Sequence, residues 1–252
     1  MGAEWPFYSY RLTRQAARSQ VVGRAQTQTL LNLVNDFDGE VEVGGLLIDP
    51  AMRGHALGSL AARARYMFIA AHRIWFGDRV IAELRGWQDQ NGSSPVWEAI
   101  GRHFYAMEFS EADRTGAIFG NQLIADFGPR YPLYLSMLPE SARAALGRPH
   151  AEGRLAYEML LGEGFCSGDY VDIFDGGPTL VAQIDAVRTV RDCCSSLVAA
   201  IADDGAPSFV AAGEGAQFRV ARGLVGTGGT ISADVAETLK VSPGDGIRHV
   251  RI

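Results

Sequence analysis

"RGHALGSLAARARYMF", Arg53–Phe68, is the stretch on which the reading of this chain turns. An arginine-glycine turn, with a second glycine four residues on, runs directly into a long helical pattern. Leu57, Leu60, Ala61, Ala64, Met67, Phe68, Ala71 and Trp75 recur at helical spacing, and the helix is expected to close near Gly77. Before the turn stands "EVGGLLI", Glu42–Ile48, read as a strand and ended by Asp49-Pro50. Its two glycines weaken it and mark a close approach to the backbone. After the helix comes "RVIAEL", Arg79–Leu84, a short apolar run read as a buried strand. The free N–H groups at a helix start form a ready anion site, and Gly54 and Gly58 leave room for a ligand to reach them. The competing reading of the same residues is a tight packing turn that binds nothing.

Working outward, Phe7–Leu12 and Thr27–Val34 read as strands, the second ended by "NDFDG" at Asn35–Gly39. Pro95–Phe104 reads as a helix with proline in its first turn. Pro132–Leu138 is strand-like, Pro139–Leu146 and Leu155–Leu161 are helical, and Tyr170–Phe174 is a strand stopped by "DGGP". Leu180–Ala202 reads as mixed helical, followed by strand candidates at Phe209–Ala212, Gln217–Leu224 and Ile247–Ile252. "WEAIGRHF" and "YEMLLGEGF" suggest two copies of one helix-to-strand device. The pattern is that of an α+β protein with a central sheet. Three consecutive segments are expected: a first core over 1–130, a second α/β unit over 131–205, and a small β-rich appendage over 206–252.

Composition narrows the function. The 252 residues carry 29 acidic and 23 basic side chains, a net charge of −6. A general nucleic-acid or anionic-membrane binder does not fit that balance. Cys166, Cys193 and Cys194 are too few and badly spaced for a metal site or a paired framework, so reduced thiols and no metal are expected. Met1–Tyr10 lacks the basic and apolar regions of a signal peptide, and the longest apolar run is far short of the ~20 residues that span a bilayer. We therefore expect a soluble, cytoplasmic chain.

The turn at Arg53-Gly54-His55-Ala56-Leu57-Gly58 resembles the acyl-CoA loop of the GNAT acyltransferases, roughly Arg/Gln-x-x-Gly-x-Gly/Ala, with Ala56 in place of the middle glycine. Longer phrases are similar to the arginine N-succinyltransferase family. They are "PFYSYR" at Pro6–Arg11, "FGDRVIAELRG" at Phe76–Gly86, "GSSPVWEAIGRHFYAMEFSEAD" at Gly92–Asp113, "GRPHAEGRLAYEMLLGEGF" at Gly147–Phe165 and "GDYVDIFDGGPTL" at Gly168–Leu180. The resemblance implies a GNAT-like core with a mixed central sheet, a second GNAT-like unit, and transfer of a succinyl group from succinyl-CoA to the α-amine of L-arginine. Succinyl-CoA would be a co-substrate; no resident cofactor is implied. The chain begins where the family has already passed its first strand and helices. An uncovered sheet edge and a homo- or hetero-oligomer are therefore expected, with a non-catalytic partner subunit or a truncated inactive relative as the alternative.

The resemblance also assigns residues. The CoA pyrophosphate would lie on Arg53, Gly54, Gly58 and Ser59, and the pantetheine arm along Leu46, Leu47 and Ile48. The family's Gly-x-x-His phrase places a proton donor at His150, which could protonate the departing thiolate. By itself His150 reads as a solvated loop residue, and Leu46 as plain core. Glu42 is the candidate base that frees the amine, with Glu40 competing for the role. Glu83 with Arg85 reads as pocket charges or as a mutual or neighbouring ion pair, and Arg102-His103 and Asp172–Asp175 read as pocket charges or as solvated or structural groups. Cys193-Cys194 carries no motif.

Overall fold

The computed structural model describes residues 6–119 and 122–252. The chain divides into two compact units that interleave along the sequence: Met1–Val43 with Arg79–Ala182, and Gly44–Asp78 with Gln183–Ile252. The structure thus groups the residues differently from the three consecutive segments suggested by sequence.

The first unit is built on strands β1 (Ser9–Ser19), β2 (Arg24–Val34), β3 (Val41–Glu42), β4 (Arg79–Glu83), β5 (Leu133–Tyr134), β6 (Cys166–Val171) and β7 (Pro178–Gln183). They form one sheet in the order β3-β4-β7-β6-β1-β2-β5. β3 and β4 run parallel, with Val41 opposite Val80 and Glu42 opposite Ile81. β1 runs antiparallel to both β2 and β6, so the sheet is mixed, as expected from the sequence. Parallel neighbours need a crossover. Here that connection carries helix α1 (Leu57–Ala71), which belongs to the second unit.

Short helices α2 (Arg102–Tyr105), α3 (Phe109–Phe119), α4 (Gln122–Phe127), α5 (Glu140–Ala145) and α6 (Arg154–Gly162) complete the first unit. Its core gathers Tyr10, Leu31, Trp97, Ile100, Tyr105, Val171 and Ile173. The predicted helix at Pro95–Phe104 is present, but Trp97–Gly101 widens into a π-turn. Gly101 permits this, because a Cβ there would run into the Trp97 ring. Phe7, Phe37 and Ile81 form a second cluster.

In the second unit α1 is followed by α7 (Arg188–Arg191), β8 (Cys194–Leu197), β9 (Ala200–Ile201), β10 (Ala206–Ala212), β11 (Arg219–Val225), β12 (Thr230–Ile231), α8 (Ala233–Leu239) and β13 (Gly246–Arg251). The sheet order is β8-β13-β10-β11-β12-β9. Met67 of α1 packs with Phe209, Ala211 and Val250 of this sheet. The C-terminal strands are therefore part of a larger body than the small appendage expected over 206–252.

Two sequence readings are corrected. Leu180–Ala202 is not mainly helical: it holds the end of β7, one short helix and strands β8 and β9. Leu180 and Ala182 are buried on alternate positions of β7, a strand period that the apolar run had masked. The strand expected over Glu42–Ile48 ends almost at once. β3 covers Val41–Glu42, Val43 N–H still donates to the Ile81 carbonyl, and the chain then leaves the ladder. Gly45 adopts φ +65°, a left-handed turn that a regular strand does not contain.

Candidate functional site

In the second unit, the turn before α1 is shaped by its own backbone. Asp49 Oδ1 accepts from the Ala51 N–H at 2.8 Å and starts a one-turn 3₁₀ segment, Pro50–Met52. Gly54 at φ +89° and Ala56 at φ +57° then turn the chain into α1. Left-handed alanine is uncommon, and here it stands at the position of the middle motif glycine. Ala56 is the N-cap, and no side chain caps the helix. The first-turn amides of Leu57, Gly58 and Ser59 are consequently left without an intrahelical or side-chain acceptor. Space beside Gly58 is open: a Cβ there would meet only Ile48 Cγ1, at 3.9 Å. Arg53 is exposed, with its Nε directed to the Ile48 carbonyl at 3.4 Å.

Leu46 and Leu47 are exposed, Leu47 at 82%. Leu46 is thus neither core nor mid-strand, as the sequence had suggested. Leu46–Ile48 run outside any strand ladder, and the segment is held at its ends. The Gly44 carbonyl accepts from Arg65 Nη1 at 3.1 Å, and the Ile48 carbonyl from Arg53.

In the first unit, the two candidate bases separate cleanly. Glu40 is committed: its Oε1 pairs with Arg79 Nε at 2.8 Å and its Oε2 accepts the Arg79 N–H. Glu42 ends β3 with no ion pair among the described residues, and it reaches solvent. Burial of part of its surroundings raises its carboxyl above the ordinary range.

His150 is half-buried and caps the 3₁₀ turn Ala151–Gly153. Its Nδ1 accepts from the Glu152 N–H at 3.3 Å, so in the neutral ring the hydrogen sits on Nε2. The loop is pinned from β4. His150 N–H donates to the Arg85 carbonyl at 2.8 Å, and Pro149 forms a β-bridge with Gly86. Asp175 closes the same corner, accepting from Gly86 N–H at 2.8 Å and Gly177 N–H at 2.9 Å. Gly86 has to be glycine: a Cβ would lie 2.5 Å from the Asp175 carbonyl oxygen.

Behind this corner lies a group of carboxyls that the sequence did not connect. Glu83 accepts from Thr179 Oγ1 at 2.9 Å, and Asp172 Oδ1 accepts from the N–H groups of Phe174 and Asp175. Burial, and then the charge of Asp172, hold Glu83 well above the usual carboxylate range. Burial, and then Asp175, push Asp172 up to about 8. Glu83 and Arg85 do not form the mutual ion pair considered from sequence: Arg85 bonds Gln88 instead. Arg102, read from sequence as a pocket charge or a solvated or structural group, is paired with Glu98 and Glu108.

The raised Asp172 predicts a pH slope. The folded protein holds a proton that the unfolded chain releases above about pH 4, the ordinary aspartate range. That stabilisation is complete below the unfolded pKa and is lost as pH rises toward about 8. Thermal unfolding should come at a lower temperature at pH 8.5 than at pH 6. Asp172→Asn, which keeps the two accepted N–H bonds, should flatten the difference; an unchanged slope would assign it to other groups.

Comparison with known proteins gives a consistent picture. A family described as arginine N-succinyltransferase beta subunit matches residues 1–189, and the corresponding C-terminal domain family matches residues 186–251. The chain is 37% identical to arginine N-succinyltransferase subunit beta of Pseudomonas aeruginosa PAO1, over 99% of its own length and 75% of that protein's. It is 36% identical to arginine N-succinyltransferase of Enterobacter sp. strain 638, over its full length and 75% of the relative. The Yersinia pestis Pestoides F enzyme is 41% identical over 76% of this chain and 55% of its own. The solved structure of arginine/ornithine succinyltransferase subunit AI from Pseudomonas aeruginosa superposes with a TM-score of 0.85 at 29% identity, covering 98% of this chain and 73% of that one. No helix among the described residues is long and apolar enough to cross a membrane.

Proposed function

The chain belongs to the arginine N-succinyltransferase family, and from that premise we propose that it is an acyltransferase moving a succinyl group from succinyl-CoA to the α-amine of L-arginine. The observation that carries this reading is the family match over residues 1–189; the uncapped start of α1, which leaves backbone amides free for an anionic donor, supports it.

The first-turn amides of Leu57, Gly58 and Ser59, with Arg53 and Gly54 beside them, suit the pyrophosphate of CoA. Their N–H groups point along the positive end of the helix dipole. Leu46, Leu47 and Ile48 offer backbone groups free of any ladder to the amide-rich pantetheine arm. An α-ammonium cannot attack, so a base has to remove its proton first. Glu42 suits that step, because its raised carboxyl is a stronger base than an ordinary glutamate. The neutral amine then adds to the thioester carbon. When the tetrahedral adduct collapses, the C–S bond breaks, the adduct's nitrogen gives up its remaining extra proton to solvent, and His150 in its imidazolium form, its Nδ1 then protonated and released from Glu152, supplies the Nε2 proton to the thiolate and is left neutral. No acyl-enzyme is required, and no cysteine is asked to act.

The deciding experiment is release of free thiol by the purified chain from succinyl-CoA with a panel of amino acids. Release with arginine supports the reading; no release with any amine points to a non-catalytic partner subunit. The loop assignment has its own test. Gly58→Val places its branches where backbone approach is needed, yet has room to fold. Its Kd for succinyl-CoA should rise about tenfold or more, a loss of at least 1.4 kcal/mol. Unchanged affinity by calorimetry would return the turn to a packing role.

A further inference from the structure

Strand β4 meets both ends of the proposed chemistry, and Glu83 stands between them. At one end Glu42 of β3 lies opposite Ile81. At the other, the His150 loop is tied to the residues that follow β4, through the Arg85 carbonyl and the Gly86–Pro149 bridge. Side chains two apart on a strand share a face, so Ile81 and Glu83 point the same way. Glu42 shares that face, because residues opposite each other on paired strands project to the same side of the pleat. From Glu42 to Glu83 is one strand across and two residues along, about 8 Å between Cα atoms. Val43 N–H still bonds the Ile81 carbonyl, and β3 pairs no further. At the level of Glu83 no strand among the described residues pairs with β4 on that side, and Glu83 ends β4 half-buried.

The carboxyl is oriented but not neutralised. Thr179 is fully buried, and its Oγ1–H donates to Glu83 Oε1 at 2.9 Å. That is the carboxyl's one hydrogen bond among the described residues, which leaves Oε2 able to accept. Arg79, Arg11 and Arg85 are committed to Glu40, Asp36 and Gln88. The charges of Asp172, Glu42 and Asp175 act on Glu83, and all three are acids. A carboxyl desolvated among acids holds a proton more firmly than an ordinary glutamate, which makes its ionised form the stronger base.

The reaction has a second proton to place. The acceptor begins as an α-ammonium with three N–H bonds and ends as an amide with one. Glu42 removes the first proton before attack, and the tetrahedral adduct carries the second on a cationic nitrogen. A nitrogen within reach of Glu42, on a carbon whose sulfur is within reach of His150, has to lie over the stretch of β4 between them. We propose that Glu83 is a further catalytic residue, whose carboxylate takes the second proton from the adduct nitrogen on its way to solvent. One N–H bond breaks and one O–H bond forms on Glu83. The electron pair left on nitrogen is shared with the acyl carbon as the C–S bond breaks, and the sulfur's proton comes from His150. A nitrogen that keeps its proton can leave as free amine and return the adduct to reactants, so this step commits the adduct forward. The role presupposes the succinyl transfer proposed for the chain.

Turnover with succinyl-CoA and arginine, followed from about pH 5 to pH 9, is the test. In the wild type kcat should rise with pH along a limb above the ordinary glutamate range, because only ionised Glu83 can accept. Glu83→Gln keeps the bond from Thr179 and cannot take a proton. It should lower kcat by about 10²–10⁴-fold, leave both KM values within about threefold, and lose that limb. Glu42, Asp172, Asp175 and the acceptor's own amine titrate in both proteins, so the difference between the two profiles belongs to Glu83. Glu83→Asp, a carboxylate one methylene shorter, should recover part of the turnover and bring the limb back. A Glu83→Gln protein that keeps most of its turnover, or that is slow with the wild-type limb intact, overturns the assignment. So does a wild type whose kcat is flat from about pH 5 upward, a result that requires no variant to fold. All three leave succinyl transfer standing. A wild type that releases no thiol with any amine overturns succinyl transfer itself, and the role of Glu83 with it.

Discussion

His150→Ala should lower turnover by roughly 10²–10⁴-fold, the contribution typical of a positioned proton donor. That is about 2.7–5.5 kcal/mol of transition-state stabilisation. The geometry behind the number is the division of labour in the ring. Nδ1 is held by the Glu152 N–H, and the loop is pinned through the Arg85 carbonyl and the Gly86–Pro149 bridge, so Nε2 has a fixed direction. The KM for succinyl-CoA should move little, because protonation of the thiolate is an interaction of the transition state alone. The fold should survive, since the side chain is only half-buried and gives up one long hydrogen bond. His150→Gln sharpens the test. It can still bond to the backbone but cannot carry a proton to the thiolate, and it should be as slow as the alanine. If either variant keeps most of its turnover, the thiolate leaves without help from this residue.

Local periodicity carried the sequence reading where a single element decides its own face. α5 and α6 lie within a residue of the helices expected at Pro139–Leu146 and Leu155–Leu161. α1 was legible too, although its buried positions are Ala62, Tyr66, Met67 and Ile69, and Trp75 is 61% exposed. The stripe shifted because α1 is half-buried nearly all round, and periodicity then has no polar face to register against. The long hairpin was half-missed. Its turn, Gln20–Gly23, has no Asn-Gly or Asp-Gly signal, and only Gly23 at φ +64° marks it. Strand Glu42–Ile48 was over-read because β-favouring residues do not make a ladder without a partner strand. At the site, the loop before α1 and His150 were legible as motifs. That Glu40 is tied to Arg79 was not, since Arg79 lies far along the chain. Nor was the meeting of Glu83 with Asp172, which only the sheet brings about.

The larger stability effect lies at Trp97. Its ring is fully buried, stacked on Tyr105 with centroids 5.5 Å apart and on Phe174 at 5.8 Å, with Phe109 edge-on at 6.2 Å. Its Nε1 donates to the Met107 carbonyl at 3.0 Å. Trp97→Ala removes the ring from a core that cannot close over the space, because the π-turn Trp97–Gly101 was shaped around it. A large aromatic cut to alanine costs about 3–5 kcal/mol. For a protein of this size that corresponds to a fall of about 6–20 °C in Tm. The loss should also reach the chemistry. Phe174 sits in the turn where Asp172 accepts two N–H bonds, and Asp175 beside it ties down Gly86 and thereby the His150 loop. Turnover of Trp97→Ala, measured well below its own Tm, should therefore fall while Trp97→Phe, which keeps an aromatic face for Phe174, retains most of it. A Trp97→Ala protein that melts within about 2 °C of wild type, less than 1 kcal/mol, would mean that this ring does not organise the first unit.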